Sequence, residues 1–138
     1  MTGATCPLCV PSRADAILWC DARCRVVDVG DSEYPGYCRV VWNEHVREMS
    51  DLAPDERAHL MNVVYTIEQA LRALLRTDKI NLASLGNRVP HLHWHVIARF
   101  ADDPHFPDPI WALRKRDGAV RPFDTAALGR ELAARLPH

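Results

Sequence analysis

The chain has 138 residues, 48% hydrophobic and 25% charged, with a formal net charge of −1. That length suits one domain with a real core, and the near-neutral balance excludes bulk electrostatic capture of nucleic acid or an anionic membrane. No apolar run is long enough to span a bilayer. The opening Met-Thr-Gly-Ala-Thr-Cys lacks the basic and apolar regions of a secretion signal, so a cytoplasmic protein is expected. The cysteines, Cys6, Cys9, Cys20, Cys24 and Cys38, are odd in number, which favours reduced thiols or a metal site over a disulfide framework.

In chain order, Cys6-Pro-Leu-Cys9 reads as a turn, Ala16–Cys20 as a short strand and Cys24–Val29 as a β-branched strand broken by Gly30. Tyr34-Pro-Gly36 is a turn and Tyr37–Trp42 the next strand. Pro54, Asp55 and Glu56 suit a first helical turn, although Ala53 is a poor cap. Leu60, Val63, Val64, Ile67, Leu71 and Leu74 then form one apolar stripe, and the helix should end near Thr77-Asp78. Lys79–Leu85 reads as a strand, Gly86-Asn87 as a turn and His91–Phe100 as a strand. The proline-rich stretch from Asp102 to Pro109 must be irregular. A last helix from Asp124 would carry Leu128, Leu132 and Leu136, with Phe123 stapled onto Leu128. Strands followed by one long helix and more strands indicate an α+β domain with an antiparallel sheet.

The most informative segment is His91-Leu92-His93-Trp94-His95-Val96-Ile97. In a strand the side-chain period is two, so His91, His93 and His95 would share one face while Leu92, Trp94, Val96 and Ala98 seal the other. Imidazole can act near neutral pH as nucleophile, acid, base or metal ligand. A row of three is therefore a site rather than a packing pattern.

The segment resembles the signature of the histidine-triad (HIT) family, His-φ-His-φ-His-φ-φ with φ apolar, at all seven positions. Cys6 and Cys9, Asp28, Pro35-Gly36 and His45 fall in the order that family also shows, so the resemblance spans roughly Cys6 to Phe106. It implies a single HIT-like domain over residues 1–138, with a core of about 6–106 and a C-terminal extension of about 107–138. The implied fold is a sheet of about five strands with one long helix and a C-terminal helix, continued through a homodimer. The implied activity is hydrolysis or transfer at the α-phosphate of a nucleotide.

By resemblance His93 is the nucleophile that forms a nucleotidyl-histidine intermediate. His95 stabilises phosphate or leaving-group charge, and His91 completes the catalytic row. Asp28 falls where the family contacts ribose hydroxyls, and Asn87 where an amide contacts phosphate. Arg88 is suited to polyphosphate by its guanidinium geometry, and Asn81 joins the substrate-binding candidates. Zinc-containing relatives imply a structural site of Cys6, Cys9, His45 and His91, whose thiolate and imidazole donors suit closed tetrahedral zinc. Free thiols and a redox Cys-x-x-Cys remain alternatives there. The chemistry itself requires no metal. Two departures stand out: Tyr37 where many members have histidine, and Arg88 where many have serine or threonine. Trp111 could reach a partner protomer's site, as tails do in some relatives, whereas His59 and His105 are given no functional role. Two other classes stay open: a metallohydrolase using the three histidines as ligands, and a nucleotide-binding protein without turnover.

Overall fold

In the computed structural model, residues 5–13 and 15–137 are described. Three short strands come first: β1 (Ala16–Cys20), β2 (Cys24–Asp28) and β3 (Cys38–Trp42). Asp21 closes the β1–β2 turn, its Oδ1 accepting the backbone N–H groups of Arg23 and Cys24, both at 2.8 Å. Pro35-Gly36 delivers the chain into β3. Gly36 has φ of 77°, and a Cβ there would lie 2.6 Å from Leu71 Cδ2 and 3.3 Å from the Phe123 ring. Glycine is needed for both reasons, the left-handed backbone and the close approach to the helix layer.

Helix α1 (Pro54–Leu75) starts without a side-chain cap, with a proline in its first turn and Asp55 and Glu56 beside it. It stops short of the expected Thr77-Asp78 because Arg76 turns left-handed, at φ 51°, and its N–H closes onto the Arg72 carbonyl. Strand β4 (Lys79–Ala83) ends before the expected Leu85, where the Ser84 hydroxyl donates to the His93 carbonyl at 2.8 Å. Strand β5 runs His93–Arg99, and α2 runs Thr125–Arg135, capped by Asp124 accepting from the Ala126 N–H at 3.0 Å.

The sheet order is β1-β2-β3-β5-β4, and every neighbouring pair is antiparallel. This is the expected five-stranded α+β architecture. Leu60, Val63, Val64, Ile67 and Leu71 of α1 pack with Val26, Val40, Val96 and Ala98 of the sheet. Leu74, expected in the same stripe, is exposed. Leu128, Leu132 and Leu136 join that core, so residues beyond 107 complete the helical layer. The opposite face carries a smaller cluster of Tyr34, Tyr37 and Ile97. Strands β1 and β4 are the two edges, and continuation through a second copy would have to add to one of them. Among the described residues no helix is long and apolar enough to cross a membrane.

Candidate active site

Alternation along β5 sends Val96 and Ala98 to the helices and His93, His95, Ile97 and Arg99 to the open face. On neighbouring β3, Val41 pairs with His93 and Arg39 with His95. Above them lies a cavity of about 440 Å³, lined by Pro7, Leu8, Arg39, Leu85, Gly86, Asn87, Arg88, Val89, His93, His95 and Trp111.

His93 Nδ1 lies 2.6 Å from the His91 carbonyl. A carbonyl only accepts, so Nδ1 carries the proton and Nε2 keeps its lone pair. Burial pushes the His93 pKa below the ordinary 6.5, and the Arg39 charge adds to this, which keeps the ring neutral. His95 is pushed down to about 4, by burial first and then by His93 and Arg39. Its Nδ1 lies 2.7 Å from the Tyr37 hydroxyl. Burial raises the Tyr37 pKa, so the phenol stays protonated. The O–H then donates to Nδ1, leaving His95 Nε2 as an N–H donor. The two imidazole rings sit 5.0 Å apart at 74°.

His91 departs from the expected row. It precedes β5, in a tight turn where its N–H bonds the Val89 carbonyl at 2.8 Å, so strand alternation does not reach it. Its ring points away from the cavity. Its Nδ1 lies 3.3 Å from Cys6 Sγ, 3.6 Å from Cys9 Sγ and 3.2 Å from His45 Nδ1. Cys9 Sγ is 3.2 Å from His45 Nδ1, and all four donor atoms lie within 4.8 Å of one another. His91 Nε2 donates to the Trp42 carbonyl at 2.5 Å, which leaves Nδ1 free to ligate. Two sulfurs and two nitrogens converging this closely fit a four-coordinate zinc ion. With His91 turned toward the cysteines, the three-histidine metal centre does not form.

A HIT domain profile matches residues 12–102. The chain belongs to the HIT family. It is 28% identical over 90 residues to the bis(5'-nucleosyl)-tetraphosphatase (asymmetrical) of Schizosaccharomyces pombe, a match covering 61% of this chain and 50% of that protein. The chain thus spans about half the length of that relative. A histidine triad protein from Bradyrhizobium japonicum superposes with a TM-score of 0.73 at 28% identity, covering 88% of this chain and 96% of that one. A zinc-bound histidine triad family protein from Mycobacterium smegmatis has the same fold, with a TM-score of 0.63 at 22% identity over 96% and 94% of the two chains.

In this HIT domain the other candidates divide. Asn87 and Arg88 line the histidine cavity. Asn81 shares its face but lines an adjacent hollow, its amide oxygen accepting from Arg99 Nη1 at 2.6 Å. Asp28 stands apart from this cavity. It has the strand parity of Cys24 and Val26, which are core residues, and it lines a separate hollow with Gly36, Arg121 and Phe123. It does not reach the histidines. Trp111 stands beside its own chain's His95 with ring centroids 5.1 Å apart. His59, given no role, anchors α1 to the β1–β2 turn through a 2.7 Å contact with Asp21. Arg39 escaped notice altogether. Its signal in the sequence is one cation, on the face opposite Cys38, Val40 and Trp42, in an otherwise apolar strand.

Proposed function

We propose that this HIT protein cleaves a (di)nucleoside polyphosphate or nucleoside phosphoramidate at the α-phosphate, through a covalent bond to His93. The observation that carries this reading is the tie from His93 Nδ1 to the His91 carbonyl, at 2.6 Å, which fixes the tautomer and leaves Nε2 as the free nucleophile beside the cavity. In the first step Nε2 bonds to the α-phosphorus, and the bond from phosphorus to the leaving group breaks. His95 Nε2–H and the Asn87 amide donate to the phosphate oxygens, and to those of a phosphate leaving group, as charge develops there, and an amine leaving group departs with a proton taken from solvent. A water oxygen then attacks the same phosphorus. The nitrogen–phosphorus bond breaks, neutral His93 is restored, one proton goes to solvent, and the nucleoside monophosphate departs.

His93→Ala removes the only bond-forming atom, so turnover should fall by about three orders of magnitude or more, while His95→Ala should cost less. Mass spectrometry of wild type quenched with diadenosine tetraphosphate should find a nucleotidyl adduct on His93 alone. Near-normal turnover by His93→Ala, or an adduct on His95, would overturn the assignment. Tight nucleotide binding with no adduct and no turnover would instead favour a binding protein.

We further propose that Cys6, Cys9, His45 and His91 would hold a structural zinc ion, whose contribution when bound is to cross-link the N-terminal segment to the turn before β5. The donor set is closed, so none of its positions is left for substrate. Holding His91 also holds the carbonyl that orients His93. Elemental analysis should give about one zinc per chain, and Cys9→Ser should lower thermal stability more than turnover per folded molecule. Metal-free protein of undiminished stability would remove the site.

A further inference from the structure

Arg39 stands in the middle of β3 with His95 as its register partner, so the guanidinium rises from the sheet beside that imidazole. Its Nε is buried and has no hydrogen-bond partner. The ion pairs among the described residues all involve other side chains. Arg25, on the next strand, also has an unpartnered Nε, but its Nη atoms reach Asn43 Oδ1 at 3.1 Å and the Leu8 carbonyl at 2.7 Å. Among the described residues, Arg39 interacts with the Tyr37 phenol and lies near the neutral His93 and His95 rings, none of which is a counter-charge. A cation held in a half-buried site without a counter-charge costs stability, and it is kept where an anion arrives to neutralise it. The cavity wall supports this: it includes Arg39 and Arg88 and no carboxylate. Arg39 is also placed on one side of the reaction. It flanks His95, the proposed donor to the developing phosphate and leaving-group charge, whereas uncharged Val41 flanks His93.

We propose that Arg39 is a substrate-specificity residue: its guanidinium, with that of Arg88, grips the phosphates beyond the one that His93 attacks, and so favours substrates whose leaving group is a phosphate chain over those whose leaving group is a neutral amine. The inference rests on the nucleotide reading above and deepens it by naming the leaving-group class. A planar guanidinium matches two phosphate oxygens at once, which an ammonium group cannot do. Two guanidiniums exceed what the single α-phosphate of a phosphoramidate requires.

The test compares wild type, Arg39→Gln and Arg39→Lys by two independent measurements. Calorimetric binding of inorganic tripolyphosphate needs no turnover. Arg39→Gln should weaken it about ten- to a hundredfold, with Arg39→Lys in between. For catalysis, the loss of kcat/KM in Arg39→Gln should be at least about tenfold larger for diadenosine tetraphosphate than for adenosine 5'-phosphoramidate. The thermal midpoint of Arg39→Gln should not fall, because no internal ion pair is lost. If wild type binds tripolyphosphate through Arg39 but turns over neither nucleotide, the reaction assignment fails and the phosphate grip stands. Equal tripolyphosphate binding by wild type and Arg39→Gln, equal losses on the two nucleotides, or a lowered midpoint would each overturn the proposal.

Discussion

Two arginines rise from the same face of the sheet on adjacent strands, and they are treated in opposite ways. Arg99 is 2% exposed and has its donors engaged inside the protein. Its Nε and Nη2 grip Asp103 at 2.7 and 3.0 Å, Nη1 reaches Asn81, and Nη2 also reaches the Asp108 carbonyl. Asp103 in turn accepts the backbone N–H groups of Phe100, His105 and Phe106. Arg39 has an unpartnered Nε and no carboxylate. The same contrast extends to the neighbours. The Arg99 network closes on itself and pins the irregular segment after β5. The network of Arg39, Tyr37, His95 and His93 ends in donors and a lone pair that face the cavity. The closed network holds the fold together, while the open one leaves its donors facing the cavity.

The largest effect should come from breaking the closed network. Arg99→Met leaves the Asp103 carboxylate buried without its partner, and should cost about 3–5 kcal/mol of unfolding free energy. Urea unfolding checks this. Arg39→Gln, on the same face, should show no such loss. If both substitutions were equally harmless or equally harmful to stability, the distinction between the two networks would fail.

Acid should separate the same two networks by pH window. His95 is held neutral in the fold, down to about 4 against an ordinary 6.5. The unfolded chain therefore takes up a proton that the folded chain refuses. Stability from this group is complete above pH 6.5 and is lost as pH falls toward 4, by roughly 3 kcal/mol. Asp103 behaves differently. Burial works to raise its pKa, but Arg99 and three backbone amides outweigh burial and hold it far below the ordinary 3.8. Its contribution is lost only as pH falls below about 4. Unfolding free energy measured from pH 7 to 3 should decline in the upper window for wild type, and His95→Gln should make that decline shallower, the remainder coming from buried His93 and His91, while leaving the lower window unchanged.

Much of this was legible in the sequence, and the exceptions share a cause. The strands, the long helix and the His93/His95 pair follow from periods of two and near four, which local stereochemistry enforces. Asn87 and Arg88 line the histidine cavity because the turn before β5 lies over the same face. His91 was misplaced because the strand pattern was carried two residues past the point where the ladder begins. The Cys6, Cys9, His45 and His91 cluster joins segments far apart in the chain, and only the resemblance brought those residues together in advance. Asp28 shares the alternation of Cys24 and Val26, which turns it to a hollow of its own. Arg39 was missed because a cation in a strand looks like an edge or surface residue until its register partner is known.

The smallest effect, and the most specific, concerns Tyr37. It stands where many HIT members have histidine, and here its hydroxyl lies 2.7 Å from His95 Nδ1. It acts through His95 and is therefore a positioning residue. Tyr37→Phe keeps the ring and removes only the donor. A neutral hydrogen bond of this kind contributes about 1 kcal/mol net, so turnover should fall by roughly five- to tenfold. Stability should change little by comparison with Arg99→Met. Nitrogen-15 NMR of the imidazoles supplies a readout that simple packing would not move. In wild type, His95 should be one tautomer with the proton on Nε2. In Tyr37→Phe the two tautomers should mix, because nothing holds Nδ1 as an acceptor. An unchanged tautomer with unchanged turnover would reduce Tyr37 to a packing residue and leave His95 oriented by the sheet alone.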